Sequence, residues 1–195
     1  MTGKKIFLMR HSIPKRCALS TEMLPLSEEG IQLAMSKKDL FYDVDKCYTS
    51  PYKRALETAR ILFDGQVIVK DKLHERIVGE AHEDFWLKQY QNHDYYNPGG
   101  ESLNIVRVRM KDVMDEILQE LNDGETALVV SHATAICSYL LNFCDVEVID
   151  AASKSRMIRF NGQEVLHGKF NPTDYFEIEY VNNAISVITS KGHIC

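Results

Sequence analysis

A run of apolar residues at 126–131, TALVVS, sets the strongest limit on the architecture. A strand that is apolar on both faces has to be covered on both faces, which is typical of parallel sheets with helices above and below. Three further segments, at residues 4–9, 45–50 and 66–70, are also predicted to be strands. The sequence therefore predicts a central, mostly parallel β-sheet.

Amphipathic segments separate these predicted strands. The clearest is residues 101–122, where apolar side chains recur at steps of three and four residues, the period of a helix. Residues 27–38 predict a second helix with Ser27 as its N-cap, and further helices are predicted over residues 51–63 and 134–143. Strands that alternate with helices predict right-handed βαβ units, and so an α/β fold built as a three-layer α/β/α sandwich.

Residues 71–100 interrupt this alternation. They contain at most one short helix, near residues 83–91, and end in the turn-forming stretch NPGG. A connection this long is more often a functional lid than an idle loop. We therefore predict that it covers a binding pocket and contributes to substrate specificity.

The C-terminal part of the chain predicts antiparallel strands rather than further βαβ units. RMIRFNGQEVL, at residues 156–166, places Asn161-Gly162 between two alternating runs, which indicates a hairpin. Residues 174–190 indicate a second antiparallel pair. No linker or internal repeat divides the sequence, so we expect one domain over residues 1–195.

Composition and charge argue against several functional classes. The net charge is −5 and no lysine-rich tail offsets it, which argues against non-specific nucleic-acid binding. No apolar run approaches the ~20 residues that cross a bilayer, so no membrane association is expected. The N-terminal stretch lacks the features of a signal peptide, and a cytoplasmic protein is expected.

The five cysteines include no CxxC pair. An odd number without paired spacing predicts reduced thiols rather than a disulfide framework or a zinc site. His82 and His93 do not match a zinc-binding motif. The sequence therefore predicts neither a metal nor another cofactor.

Two histidines follow predicted strands directly. Arg10 and His11 end the first strand, and His132 ends the strand at residues 126–131. The carboxyl ends of parallel strands meet at one edge of a sheet, where α/β folds place their ligands. Either histidine alone would be interpreted as structural, bonded to a nearby carbonyl. The two can meet only if their strands are neighbours.

A third candidate lies in TSPYKRALETAR, residues 49–60. We predict that Ser50 is the N-cap of a helix and that Pro51 takes its first position. Arg54 then lies one turn in, and its guanidinium can reach the start of the helix because helical side chains lean back towards the N-terminus. The alternative is an exposed ion pair between Arg54 and Glu57.

Together these segments resemble the histidine phosphatase superfamily, which includes the cofactor-dependent phosphoglycerate mutases. The motifs that carry the resemblance are MRHS, LSEEG, SPYKRALETA, LHERIVGE with PGGES, and VVSHA. They follow the family's order between residues 4 and about 143. The hairpin near Gly162 lies outside the match.

The resemblance implies a chemistry for the residues at these motifs. His11 would attack phosphorus and form a phosphohistidine, and its other ring nitrogen would donate to a backbone carbonyl. Positive charge around the phosphoryl oxygens would come from three side chains. These are Arg10, Arg54 and a protonated His132. Glu75 would protonate the leaving group; Glu80 and Asp71 are alternatives for that role.

Departures from the family pattern bear on the reaction type. The residues after His11 include Ser12, Ile13 and Cys17, where mutases commonly have polar groups around a second phosphate. This favours hydrolysis over intramolecular transfer. Ala133 replaces a glycine after the second histidine, and its backbone N–H remains a candidate phosphate ligand together with Ser12.

The lid and the late hairpin contribute further candidates. Trp86 and its aromatic neighbours in the lid would pack against one another or, alternatively, offer a platform for a flat or apolar substrate group. A set of cationic side chains near the hairpin predicts a solvated face or a dimer edge. These are Lys154, Arg156, Arg159 and Lys169.

The sequence thus predicts a metal-independent phosphomonoesterase of a small phosphorylated metabolite, with phosphate or sulfate as a ligand of the pocket. Two alternatives stay open: a phosphoglycerate-type mutase, and a catalytically silent binding domain on the same fold. A homodimer is a further open alternative, because the hairpin could pair with a second copy or cover the sheet.

Overall fold

The computed structural model describes residues 3–192. In chain order its strands are β1 (Lys4–Arg10), β2 (Lys46–Thr49), β3 (Val67–Val69), β4 (Thr126–Ser131), β5 (Cys144–Asp150), β6 (Ser155–Phe160), β7 (Gln163–Gly168), β8 (Tyr175–Val181) and β9 (Ala184–Lys191). The helices are α1 (Glu28–Met35), α2 (Lys53–Leu62), α3 (Phe85–Gln91), α4 (Leu103–Glu120) and α5 (Ala133–Leu140). A six-stranded sheet in the order β3-β2-β4-β1-β8-β9 forms the centre.

Helices cover both faces of this sheet because the inner strands are apolar on both sides. Leu128 and Val129 are successive residues of β4 and belong to different core clusters. Leu128 packs in the cluster of Ala55 and Ala59 from α2, whereas Val129 packs with residues of α4 and α5 such as Met110. The predicted three-layer α/β/α sandwich is confirmed.

The strand register decides where the site lies. β1 and β4 are parallel neighbours, and Arg10 is opposite Ser131. The residue after each strand is a histidine, so both histidines lie at one sheet edge. β2 pairs with the other side of β4, which brings Thr49 opposite Val130 and delivers α2 to the same edge.

Antiparallel strands complete the fold. β8 pairs with β1, and β8 and β9 form the second predicted hairpin. The first predicted hairpin is β6–β7, where Asn161 and Gly162 have φ of 50° and 77°, as a tight I′ turn requires. It belongs to a separate three-stranded sheet with β5, which the sequence did not predict.

Helix starts follow the predictions except in α2. Ser27 accepts a hydrogen bond from the Gly30 N–H and caps α1 as predicted. The prediction that Ser50 caps α2 with Pro51 as its first residue is wrong, because α2 begins at Lys53 and has no side-chain cap. The Ser50 N–H donates to Val130 O, so the backbone stays in the ladder beyond β2 and the helix begins later.

Helix α1 packs against the loop that follows β1. A Cβ at Gly30 would lie 2.1 Å from Ile13 O, so only glycine allows this approach. The Ser12 hydroxyl donates to Gly30 O at 2.7 Å. The loop after His11 is therefore fixed from both sides. Within the described residues, no helix has the length and apolarity needed to cross a membrane.

Candidate active site

Two hydrogen bonds hold His11 in place, and the second of them sets the tautomer of its ring. Its backbone N–H donates to Ser131 O at 2.9 Å, which continues the pairing of β1 with β4. Its Nδ1 lies 2.6 Å from Ser12 O. A carbonyl oxygen only accepts, so Nδ1 carries the proton and Nε2 presents a lone pair. This is the arrangement that the sequence predicted for the nucleophile.

Arg54 connects the two histidines. Its Nε donates to His11 Nε2 at 3.0 Å, and its Nη2 lies 3.1 Å from His132 Nδ1. The alternative ion pair with Glu57 does not form; the Glu57 carboxylate instead accepts the Leu26 N–H at 2.7 Å. Arg54 therefore lies at the start of α2, as its second residue, and not one turn into the helix as predicted.

His132 is fully buried beside His11, with 4.9 Å between the ring centroids. Its Nε2 lies 2.8 Å from the Ser50 hydroxyl. Because Nδ1 faces a guanidinium donor, Nε2 carries the proton and donates to Ser50 Oγ. We call His11, Ser50, Arg54 and His132 the histidine cluster. Ser50 thus has a role that the sequence did not predict.

Burial and charge keep both rings neutral. Desolvation, and then the neighbouring Arg54 charge, hold the pKa of His11 well below its ordinary value. Desolvation, followed by His11 and Arg54, does the same to the pKa of His132. The prediction of a protonated His132 is therefore wrong for the protein's own groups. A phosphate dianion in contact with the ring would act in the opposite direction.

Arg10 lies at the end of β1, next to His11. Its Nη1 donates to Phe170 O, and its buried Nε has no hydrogen-bond partner among residues 3–192. Burial lowers the pKa of Arg10, and the nearby Glu75 charge opposes that effect. A guanidinium keeps its proton in proteins, so Arg10 is a partly buried cation whose buried Nε is an uncommitted donor.

Glu75 lies at the start of α5. Its Oε1 accepts from the N–H groups of Ala135 and Arg76 at 2.9 and 2.8 Å, and its Oε2 accepts from Thr134 N–H at 3.3 Å. Glu75 and Arg10 line the same cavity of about 440 Å³, together with Ala133. The carboxylate is thus held by backbone donors beside the candidate phosphate site.

The two alternative acids lie elsewhere. Glu80 and Asp71 are exposed, and neither lines the cavity that contains Glu75 and Arg10. Asp71 instead borders a separate, more apolar depression next to Tyr52 and His74. Of the three candidate acids, the geometry favours Glu75.

The three predicted substrate-binding residues have different outcomes. Ala133 lines the cavity at the first position of α5. Trp86 also lines it and is 7% exposed. Ser12 does not fit the prediction, since its N–H donates to Thr58 Oγ1 at 3.0 Å and its hydroxyl to Gly30 O. It instead positions His11 through its carbonyl.

No group of three or more His, Cys, Asp or Glu within residues 3–192 is arranged to hold a metal ion. Cys17, Cys47, Cys137 and Cys144 are free thiols, and Cys195 lies outside the described residues. Burial raises the pKa of Cys47 and Cys144 to about 12, which keeps both protonated. The described thiols therefore agree with the reduced state predicted from their spacing.

The cationic residue Arg156 was predicted on a solvated face, and this is wrong. Arg156 is 3% exposed and lines the cavity. A signal for this was present in the sequence, because Arg156 and Ile158 alternate on one face of β6 and Ile158 is in the core. Arg159 is 39% exposed and pairs with Glu147, as a surface residue would.

Comparison with known proteins gives the family. The model of the histidine phosphatase superfamily (branch 1) matches residues 6–154. No curated protein matches the chain. Several solved structures have a similar fold at low sequence identity.

Three of these structures are of two named phosphatases. The mycobacterial glucosyl-3-phosphoglycerate phosphatase is 17% identical, with coverage of 91% of this chain and 90% of that chain and a TM-score of 0.67. Its complex with inorganic phosphate is also similar, with 18% identity, 89% and 88% coverage and a TM-score of 0.66. A phosphoserine phosphatase from Entamoeba histolytica is 20% identical, with 86% and 96% coverage and a TM-score of 0.60.

The family-level prediction of a histidine phosphatase, made from five short motifs, is confirmed. The family match begins within β1 and extends beyond α5, so it includes Arg10, His11, Arg54, Glu75 and His132. These are the residues that meet at the sheet edge and in the adjoining cavity. The chain belongs to the histidine phosphatase superfamily.

Proposed function

We propose that the protein is a metal-independent phosphomonoesterase that hydrolyses a small phosphorylated metabolite through a phosphohistidine on His11. The observation that carries this proposal is the geometry of the His11 ring. Its Nδ1 is fixed by Ser12 O at 2.6 Å, and its Nε2 lone pair faces the Arg54 guanidinium at 3.0 Å. A neutral, oriented imidazole beside buried cations suits nucleophilic attack on a phosphate ester.

In the first step His11 Nε2 forms a bond to phosphorus while the bond from phosphorus to the ester oxygen breaks. Arg54 transfers its donors from the imidazole nitrogens to the phosphoryl oxygens, and Arg10 provides further positive charge. Glu75, protonated in the reactive complex, gives its proton to the leaving oxygen.

In the second step water attacks the phosphohistidine and Glu75 accepts a proton from it. The N–P bond breaks, inorganic phosphate leaves, and His11 returns to its neutral form. Atoms and charges balance without a metal or redox partner. The similar structures include phosphatases of phosphoserine and of glucosyl-3-phosphoglycerate, which supports a small phosphomonoester as the substrate class.

The decisive experiment traps the intermediate. The protein is mixed with a radiolabelled phosphomonoester and quenched in alkali, in which a phosphohistidine survives. We expect label on the wild-type protein, no label on His11→Asn, and a loss of turnover of about 10³-fold or more in that variant. His167→Asn removes an exposed imidazole (side chain 56% exposed) and serves as the matched control.

Release of inorganic phosphate separates the alternatives. Net release from a monophosphate supports the phosphatase, whereas transfer between hydroxyls without release would indicate a mutase. Neither release nor label, with a panel of sugar, nucleotide, glycerate and cofactor-precursor monophosphates, would indicate a silent binding domain. Full activity after EDTA treatment is expected, and a chelator-sensitive enzyme would contradict the metal-free mechanism.

A further inference from the structure

The cavity beside the histidine cluster has a second side, formed by the lid and the β5–β7 sheet. Arg10, Glu75 and Ala133 lie on the catalytic side. The cavity is also lined by Arg76 after the third strand, Gln89 in α3 and Arg156 in β6, which we call the distal wall. The resemblance to the family assigned no role to these residues, and Arg156 lies beyond the residues that the family model matches.

The guanidinium groups of the distal wall are buried on aromatic faces. Arg156 lies over the rings of Trp86 and Tyr90 at 5.3 and 5.5 Å, and its Nη1 donates to the Tyr90 hydroxyl at 2.6 Å. Arg76 lies over the Phe85 ring at 5.6 Å. The lid aromatics therefore hold cations rather than offering free faces to a flat substrate, which disfavours that alternative.

The distal wall retains donors without partners. Arg76 and Gln89 are 4% and 1% exposed and are joined by a hydrogen bond from Arg76 Nη1 to Gln89 Oε1. Three buried nitrogens nevertheless have no hydrogen-bond partner among residues 3–192. They are Arg76 Nη2, Gln89 Nε2 and Arg156 Nε. A buried donor without an acceptor costs about 1–3 kcal/mol, and more when it is charged.

These cations also have no carboxylate partner. In the described part of the chain, neither Arg76 nor Arg156 forms an ion pair; the nearby Glu101 carboxylate is instead engaged by Arg109. Burial lowers the pKa of Arg76. No carboxylate of the described residues lies within ion-pair distance of either guanidinium, so an anion bound at the wall would be stabilised.

The charge of the whole cavity also favours the binding of an anion. Five cationic residues line it: Arg10, Arg76, Lys154, Arg156 and Lys169. Glu75 is the single carboxylate residue among the lining residues described. A chain with a net charge of −5 thus concentrates positive charge here, beyond what one phosphate requires.

The distal wall is also close to the catalytic side. Arg10, Arg76, Gln89 and Arg156 line one cavity, and the Arg76 backbone N–H donates to the Glu75 carboxylate at 2.8 Å. The cavity volume of about 440 Å³ is that of a small-molecule site. A single compact ligand can therefore reach both sides.

We infer that the substrate carries a second oxyanion group, a carboxylate or a second phosphate, that binds to Arg76, Gln89 and Arg156 while its phosphoryl group lies at His11. This inference rests on the proposed function and narrows its substrate class. The two guanidiniums and the amide N–H offer donors to several oxygens of one planar or tetrahedral anion. The exposed Lys154 and Lys169 add charge at the cavity.

The test compares substrates that differ only in the second anion. For the carboxylate, kcat/KM for 3-phosphoglycerate is divided by kcat/KM for glycerol 1-phosphate, in which a hydroxymethyl group replaces the carboxylate. For the phosphate, glucose 1,6-bisphosphate is compared with glucose 6-phosphate. Charged hydrogen bonds of this kind correspond to about tenfold or more, so we expect at least one ratio to reach that value.

Substitutions show which residues cause the preference for substrates with a second anion. Arg156→Gln should bring the elevated ratio down towards one, and Arg156→Lys should restore part of it because it keeps the charge. Arg159→Gln is the matched control, since it removes one positive charge from an exposed position of the same strand. Should Arg156→Gln fail to fold, the exposed double variant Lys154→Gln/Lys169→Gln, expected to lower the ratio, replaces it.

The outcomes separate this inference from the proposed function. Ratios near one in the wild-type protein would overturn the inference, and hydrolysis of p-nitrophenyl phosphate would show that the phosphatase proposal survives. An elevated ratio that Arg156→Gln leaves unchanged, or that Arg159→Gln lowers by the same factor, would also overturn it. If no substrate is hydrolysed, calorimetric titration with 3-phosphoglycerate and glycerol 1-phosphate applies the same comparison to binding.

Discussion

The histidine cluster and the distal wall are both buried and rich in nitrogen donors, but they use those donors differently. In the cluster, all four ring nitrogens of the two histidines have a partner within the protein. In the distal wall, three donor atoms have none among residues 3–192. On the proposed function, the cluster is pre-organised for a step that every substrate undergoes, whereas the wall is completed only by a substrate with the right second group.

This difference predicts how the kinetic effect of a substitution depends on the substrate. A change in the histidine cluster should lower the rate for all substrates by a similar factor, because all share the phosphoryl group. A change in the distal wall should alter the ratio between substrates. Comparing one variant across several substrates is therefore more informative than comparing many variants on one.

After His11→Asn, the largest uniform effect is expected for Arg54→Ala. It removes the donors that face both imidazoles, and with them charge stabilisation of the phosphoryl oxygens. Loss of such a group costs about 10²–10³-fold in kcat, and we expect similar factors for p-nitrophenyl phosphate and for the metabolite substrates.

The control for Arg54→Ala is Arg60→Ala, which removes an exposed arginine from the same helix. Steady-state kinetics on at least three substrates measures both variants. A loss confined to substrates with a second anion would place Arg54 in the distal site and break the distinction between the two regions.

Glu75→Gln should give a smaller effect that depends on the leaving group. Glutamine keeps one acceptor oxygen for the backbone N–H groups of Arg76 and Ala135, loses the acceptor of the Thr134 N–H, and has no acidic proton to transfer. Alkyl phosphates should lose about 10²-fold, whereas p-nitrophenyl phosphate, whose leaving group needs no proton, should lose far less. Phosphate-release assays on both classes measure the split.

The matched control is Glu80→Gln, an exposed carboxylate five positions along the same segment that the sequence left as an alternative acid. It should change neither class of substrate. Equal losses on both classes in Glu75→Gln, or a leaving-group effect in Glu80→Gln, would remove Glu75 from the role of general acid.

The sequence was sufficient for the histidine cluster because a parallel sheet brings strand ends together by register. Once β1 and β4 are neighbours, His11 and His132 have to meet, and the helix after β2 delivers Arg54. Apolar runs and two strand-end histidines contain that information. The same reasoning failed for Ser50, because the exact start of a helix depends on where the ladder of β2 ends.

The distal wall could not be assembled in this way. Arg76, Gln89 and Arg156 come from a loop, a short helix and a separate sheet, and no periodic pattern relates them. Their contacts depend on how these three segments pack, which the sequence pattern does not specify. The buried face of β6 could be predicted, however, because Arg156 lies two residues before the buried Ile158 and therefore on the same face of the strand.

Acidification should weaken the folded state through the histidine cluster. The pKa of His11 and of His132 is held below its ordinary value, so below about pH 6.5 the unfolded chain binds protons that the folded chain does not. The free energy of unfolding therefore falls as the pH drops through that value, by up to about 1.4 kcal/mol per pH unit for each ring. Urea unfolding between about pH 7.5 and 5 measures the slope.

The double variant His11→Asn/His132→Asn should have a shallower slope over this range, and His167→Asn, which removes an exposed ring, should keep that of the wild-type protein. Equal slopes in the wild-type protein and the double variant would mean that the two rings are not held neutral by burial.

The smallest expected effect is that of Ser50→Ala, and it tests whether the cluster is pre-organised. Ser50 is buried and its hydroxyl accepts the Nε2 proton of His132 at 2.8 Å. Loss of this bond should cost about 1 kcal/mol of unfolding free energy and lower kcat/KM about fivefold for every substrate. Ser102→Ala removes the cap of α4 and should cost a similar free energy of unfolding without the kinetic loss. Equal kinetic losses in the two variants would mean that Ser50 acts through stability alone, whereas a loss specific to Ser50→Ala means that the orientation of His132 contributes to the rate.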